Sequence, residues 1–313
     1  MRTVQNPLKS KAMKCRICGG SATIKLESHN LKICEKDFLK FFEQRVESAI
    51  KEYKMFIPKG RILVAVSGGV DSLSLWEVLL RLGYQVVGYH LDLNIPNASE
   101  PALEKVQAFA KAQNAELIIE NLSEFLPASL EQASKIMKKP TCAVCGMVKR
   151  YRFNRIAGEK KFDVVATGHH LDDESATLLG NILHWQEGYL TRQFPVLTER
   201  EGMIRKVKPL VFVSKEEIEI YAKLRQIDFI RSACPYSKGA TSIIYKQIIN
   251  QLEKEMPSTK IFFLKTFFKK YRAIFKEDKI LANQLKPCSQ CGYLTIAELC
   301  GFCTLKNKLR EKA

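Results

Sequence analysis

Between Arg61 and Arg81 the chain reads RILVAVSGGVDSLSLWEVLLR, and no other run constrains the fold as much. RILVAV (61–66) has the length and apolar character of a buried strand, and 71–82 is an apolar stretch of helical length. Ser67-Gly68-Gly69-Val70-Asp71-Ser72 must therefore turn the chain from strand to helix. Glycines there let the backbone approach an anion closely, and the helix N-terminus adds free N–H groups and the positive end of a dipole. Ser67 and Ser72 supply hydroxyl donors, and Asp71 sets a carboxylate beside the anion, where it suits a metal ion such as Mg²⁺. No Gly-Lys-Ser/Thr follows, so the loop is not a Walker A motif. A tight strand–helix turn with no ligand is the plainer reading of the same residues.

Residues 60–235 continue the alternation. QVVGYHL (85–91), AELIIE (115–120) and FDVVAT (162–167) read as strands, with helices expected over 71–82, 100–113 and 144–158 and after Thr167. Strands alternating with helices imply an α/β fold with a doubly wound parallel sheet, whose ligands bind beyond the carboxyl ends of the strands. Those ends fall at Ala65 to Gly69, His90 to Asp92 and Thr167 to His169. The last opens TGHHLDDE (167–174), where Gly168 permits close approach of a nucleotide. Asp172 and Asp173 either face that ligand or only cap the next helix.

Eight of the ten cysteines form four C-x-x-C pairs, while Cys34 and Cys234 stand apart. With no signal-peptide core and a chain this large, metal binding in a reducing cytoplasm is a stronger reading than a disulfide framework. Cys288-x2-Cys291-x8-Cys300-x2-Cys303 is a complete four-thiolate zinc set. Cys15-x2-Cys18-x15-Cys34 supplies three ligands of a second zinc site; Asp37 completes it by spacing and His29 by chemistry. Cys142 and Cys145 cannot close a site alone. With Cys234 they make a poor zinc site but a good incomplete iron–sulfur site; a redox disulfide is the alternative. Lys149, four residues after Cys145, shares its helical face and can reach a nucleotide's phosphates.

SGGVDS resembles the SGGxDS loop of the PP-loop ATP pyrophosphatases, which split ATP to AMP and pyrophosphate while adenylating a substrate, and TGHHLDD resembles a motif of their tRNA-modifying members. With the central C-x-x-C, Cys234-Pro235 and the terminal fingers, the stretch from Cys15 to Cys303 is similar to the TtuA/NcsA group of tRNA 2-thiouridine synthetases. The resemblance implies an adenine nucleotide alpha hydrolase-like PP-loop domain between N- and C-terminal zinc fingers. It places a 4Fe–4S cluster on Cys142, Cys145 and Cys234, catalytic roles on Asp71, Lys149 and Asp173, and nucleotide contacts on Ala65, Ser67, Gly68, Gly69, Ser72, Leu91 and Gly168. ATP, Mg²⁺, the cluster and two Zn²⁺ are the implied cofactors. The implied partners are tRNA and a ubiquitin-like sulfur-carrier protein or free sulfide; a homodimer stays open. The family usually has His where this chain has Asp37.

The expected segments are a flexible lead-in (1–12), an N-terminal finger (13–37), a linking helix (38–58), the catalytic domain (59–240), a basic helical region (241–285) and a C-terminal ribbon (286–313). A net charge of +17 favours a polyanionic partner, and no apolar run is long enough for a bilayer. KIFFLKTFFKKYRAIFKEDK (260–279) interleaves basic and aromatic residues; a helix there buries the rings and turns Lys265, Lys269, Lys270 and Arg272 partly outward. Residues 185–209 lack periodicity and read as a mobile substrate loop carrying Arg192, Arg200 and Arg205. The rivals are a 2-thiocytidine synthetase, a lysidine-forming ligase, which needs no cysteine trio, and a non-catalytic zinc-finger RNA-binding protein. Target uridines 54 and 34 are both used by the family.

Overall fold

In the computed structural model, alternate residues of each central strand enter two different cores. The structure describes residues 13–199, 203–232, 234–237, 241–275 and 285–311; the lead-in expected over 1–12 lies outside them. In chain order the elements are β1 (Ile24–Leu26), β2 (Leu31–Ile33), α1 (Glu35–Glu52), β3 (Ile62–Ala65), α2 (Val70–Arg81), β4 (Val86–Asp92), α3 (Ser99–Ala112), β5 (Leu117–Asn121), α4 (Leu130–Met137) and α5 (Thr141–Glu159). They continue with β6 (Val164–Ala166), α6 (Leu171–Leu183), α7 (Glu187–Leu190), β7 (Val196–Leu197), β8 (Arg205–Val207), α8 (Lys215–Leu224), α9 (Thr241–Glu255), α10 (Thr259–Thr266), β9 (Lys286–Pro287), β10 (Leu294–Thr295) and α11 (Gly301–Arg310).

The main sheet runs β5-β4-β3-β6-β8-β7. Its first five strands are parallel, as expected of a doubly wound sheet. β7 is an antiparallel addition at the edge, because the few residues joining it to β8 allow a hairpin and not a crossover. From β3 the sheet grows through β4 and β5 on one side and through β6 on the other, so the switch point lies between the carboxyl ends of β3 and β6.

Ile62, Val64, Val164, Ala166 and Val207 pack on one face with residues of α1, α2, α6 and α8. Leu63, Val87, Tyr89 and Val165 pack on the other with α4 and α5. The cysteine-rich ends join these same cores. Cys15, Leu26 and Ile33 belong to the first, while Cys288, Cys300, Phe302 and Leu305 belong to the second. Phe42 of α1 stacks on Tyr221 of α8 at 4.1 Å, and Phe302 of α11 stacks on Tyr151 of α5 at 4.0 Å. Each small finger thus borrows apolar cover from a large neighbour.

The described residues of 185–209 include α7, β7 and β8, so that part is built into the sheet and is not the loop expected. Arg205 sits in β8 and donates to the carbonyls of Met55 and Lys54; Arg200 lies outside the described residues. The basic–aromatic segment is α10 followed by a wider π-helical turn at Phe267–Tyr271. Phe267 and Phe268 are buried, and Lys269 and Lys270 face water. Lys265 instead covers the Phe212 ring at 4.7 Å and Arg272 the Phe194 ring at 4.1 Å, because an aliphatic stem or flat guanidinium gains more on an aromatic face.

Candidate nucleotide site and cysteine centres

At the switch point the two loops close on each other. Gly68 has φ +79°, and a β-carbon there would come within 2.9 Å of the Ala102 carbonyl oxygen. A β-carbon on Gly168 would meet the backbone of Asp71 at 3.0 Å. Ser72 Oγ accepts from Ser67 N and donates to Gly69 O, each at 3.0 Å, which holds the turn open around the start of α2. A cavity of about 290 Å³ opens there, with Ser67, Gly69, His90, Leu91, Lys149 and Cys234 in its wall. Of the other expected nucleotide contacts, Ala65, Gly68, Ser72 and Gly168 are not among the residues that line it. His90 was passed over as a ligand in the sequence. It donates Nδ1–H to Val66 O (3.0 Å), leaving a buried Nε2 without a hydrogen-bond partner. Burial lowers its pKa, so the neutral ring offers an acceptor.

The carboxylates converge on His170, which is buried. Its Nε2 lies 3.8 Å from Asp71 Oδ1 and 3.3 Å from Asp173 Oδ2, and its Nδ1 lies 3.4 Å from Asp172 Oδ2. Lysines absent from the sequence reading neutralise the group. Lys215 Nζ donates to Asp71 (2.7 Å), Lys260 Nζ to Asp172 (2.6 Å), Lys208 Nζ to Glu174 (2.7 Å), and Lys246 pairs with Asp173. Burial works against the charge on Asp173, but His170 and Lys246 outweigh it and hold its carboxyl below the usual range. Asp173 Oδ2 also accepts from His170 N at 3.2 Å, so it caps α6. Asp71 Oδ1 and Asp173 Oδ2 both approach His170 Nε2, and carboxylate oxygens are the donor type that Mg²⁺ takes.

Both terminal cysteine groups close within 4.8 Å: Cys15, Cys18, Cys34 and Asp37, and Cys288, Cys291, Cys300 and Cys303. A tetrahedral zinc with Zn–S of about 2.3 Å requires sulfurs about 3.8 Å apart. Cys18 and Cys34 stand 3.8 Å apart, and Cys291 and Cys300 3.7 Å. Burial opposes ionisation of Cys288, yet the backbone N–H groups of Cys300, Gln290 and Cys291 bring its thiol down to about 6, toward the thiolate a metal needs. Asp37 Oδ2 is 3.2 Å from the sulfurs of both Cys15 and Cys34. His29 points elsewhere, with Nε2 3.1 Å from Glu217 and 3.0 Å from Arg45. Of the two candidate fourth ligands, the structure brings only Asp37 to the site.

Cys142 and Cys145 occupy the first turn of α5, on one face, and Cys234 lies across from them in the cavity wall. Cys142 Sγ donates to Tyr236 O at 2.8 Å. Burial pushes the Cys145 thiol up, while Lys149 one turn later pulls it down. Among the described residues this trio is not one of the groups closing within 4.8 Å. Three thiolates are the donor type that a 4Fe–4S cluster takes.

A family model of the PP-loop domain matches residues 38–238. The tRNA-5-methyluridine(54) 2-sulfurtransferase of Thermotoga maritima is 44% identical over 302 residues, covering 96% of this chain and 98% of that protein. Its namesake from Thermus thermophilus is 41% identical over 301 residues, covering 96% and 93%. Among solved structures, the U34-tRNA thiolase NcsA from Methanococcus maripaludis with its 4Fe-4S cluster shares the fold, with a TM-score of 0.82 at 21% identity over 96% of this chain and 97% of that one. The chain thus belongs to the TtuA/NcsA-type tRNA 2-thiouridine synthetases of the PP-loop family.

Proposed function

We propose that this protein is an ATP-dependent tRNA sulfurtransferase that replaces the C2 oxygen of a uridine with sulfur. The observation that carries the reading is one cavity whose wall joins the phosphate loop (Ser67, Gly69), the strand end at Leu91, Lys149 and Cys234. Activation and sulfur delivery thereby share a single hollow. The relatives at 44% and 41% identity are named for uridine 54, which supports that position as the target. The sulfur donor is a carrier protein or sulfide, and the setting is the reducing cytoplasm.

The uridine O2 attacks the α-phosphorus of ATP, and the bond to pyrophosphate breaks. A sulfur nucleophile then adds at C2 and AMP leaves with the original oxygen. The loop N–H groups and Ser67 bind phosphate, Asp71 and Asp173 hold Mg²⁺, and Lys149 offsets charge on the departing pyrophosphate. His90 Nε2 accepts a hydrogen bond from the nucleotide. Cys142, Cys145 and Cys234 would hold a 4Fe–4S cluster, which when bound would supply a binding place for the incoming sulfur. Cys15, Cys18, Cys34 and Asp37, and the four C-terminal thiolates, each hold a structural Zn²⁺. Lys54, Arg192 and Lys206, in the wall of a second cavity of about 520 Å³, offer the tRNA backbone positive charge.

The test compares Asp173→Ala and Cys145→Ala proteins by labelled-ATP product analysis beside thionucleoside yield. The nucleotide-site variant is expected to stop both AMP formation and thiolation, and the cysteine variant only thiolation. Full thiolation by Cys145→Ala would remove the cysteine centre from the mechanism.

A further inference from the structure

Four lysine–carboxylate pairs gather on the first turns of α2 and α6, and they differ in depth. Lys260 and Asp172 are each 7% exposed, and Lys208 and Glu174 are 18% and 4% exposed. Further bonds lock this inner set: Lys260 Nζ also donates to Asn250 (2.8 Å), Lys215 N to Asp172 (2.9 Å), and Gln193 Nε2 to Glu174 (2.9 Å). The outer set is half in water. Lys215 and Asp71 are 38% and 32% exposed, and Lys246 and Asp173 are 39% and 22% exposed. An exposed ion pair is weakly held and opens readily.

The outer carboxylates are the two assigned to Mg²⁺, and this inference rests on that assignment. Lys215 holds Asp71 Oδ1 and Lys246 holds Asp173 Oδ1, so a divalent ion arriving on these carboxylates repels each ammonium and weakens its hold. Mg·ATP also arrives with net negative charge. Among the described residues that line the cavity, Lys149 is the one lysine or arginine to meet that charge. Lys215 opens α8 and Lys246 lies in the second turn of α9, both on long flexible stems beside the loop that takes the phosphates.

We propose that Lys215 and Lys246 are transferable cations: they neutralise Asp71 and Asp173 in the nucleotide-free enzyme and pass to the triphosphate when Mg·ATP binds. They are thus catalytic residues beside Lys149.

The test measures two affinities on the full-length protein: Mn²⁺ alone, by electron paramagnetic resonance, and a non-hydrolysable ATP analogue with Mg²⁺, by calorimetry. Lys215→Met and Lys246→Met are expected to bind Mn²⁺ roughly three-fold more tightly, because the competing exposed cation is gone. They are expected to bind the Mg-nucleotide roughly ten-fold more weakly, the loss of one charge-assisted contact. Lys246→Arg should restore nucleotide affinity. A purely structural lysine would weaken both ligands, so unchanged or weaker Mn²⁺ binding in both Met variants overturns the transfer. Asp71→Asn is the reference: if it binds Mn²⁺ like the parent, the carboxylate assignment fails instead.

Discussion

Replacing Lys260 with Met isolates the deepest ion pair of the site. The ammonium lies 2.6 Å from Asp172 with both side chains 7% exposed, and Asn250 holds it from a second side. Methionine fills the stem's volume and removes the charge, which strands Asp172 in the interior. Stranding a buried charge costs about 3–5 kcal/mol, and at this chain length that lowers Tm by about 6–15 °C. Burial pushes the Asp172 carboxyl up, but His170 and Lys260 outweigh it and hold it well below the usual range. A depressed folded pKa adds stability above the unfolded value of about 3.9 and loses it as pH falls through the folded value. In Lys260→Met burial is no longer outweighed, the folded Asp172 carboxyl rises above its unfolded value and takes up a proton, so the Tm gap to the parent should narrow as pH falls from 7 toward 4. Thermal unfolding by circular dichroism measures both effects. A Lys260→Met/Asp172→Asn protein should regain most of the loss, because neither charge is then stranded. A fall of less than about 2 °C at pH 7 in the single variant would refute the reasoning.

Two other outcomes follow from the same geometry. Cys300→Ser should reduce zinc from two ions per chain to one, measured by plasma mass spectrometry, and loosen α11, since so small a ribbon has little other support; unchanged zinc content contradicts the four-thiolate assignment. Burial, then Arg150 and Arg192, bring Lys206 down to about 8, so tRNA affinity should fall as pH rises from 7 to 9. Lys206→Arg, which stays charged, should remove that step in a filter-binding titration; an identical pH profile in the variant would take Lys206 out of the interface.

The legible parts of the sequence were those in which neighbouring residues do the work. SGGVDS and TGHHLDD each turn a strand into a helix within a few residues, so the strand and helix patterns on either side placed them at the sheet's carboxyl edge. The C-terminal cysteines declared themselves by spacing, because a zinc ribbon is a local object. The choice between His29 and Asp37 was not legible, since what occupies His29 is Glu217, far along the chain. Nor were the lysines: Lys215 and Lys260 meet Asp71 and Asp172 across separations of 144 and 88 residues. α4 and α8 were overlooked although Ser129 with Gln132 and Ser214 with Glu217 form capping boxes that the sequence displays. β7 has two residues, too short for any periodicity to show.

The central claim is that one uridine is thiolated for each ATP split between the α- and β-phosphorus atoms. The direct measurement incubates anaerobically purified protein with tRNA, sulfide and ATP labelled in the α-phosphate. It follows nucleotide products by chromatography and thiouridine by nucleoside mass spectrometry on the same samples. The account predicts AMP and 2-thiouridine rising together in a one-to-one ratio, with pyrophosphate and no ADP. ADP as the labelled product, or AMP accumulating with tRNA present and no thionucleoside formed, would contradict it.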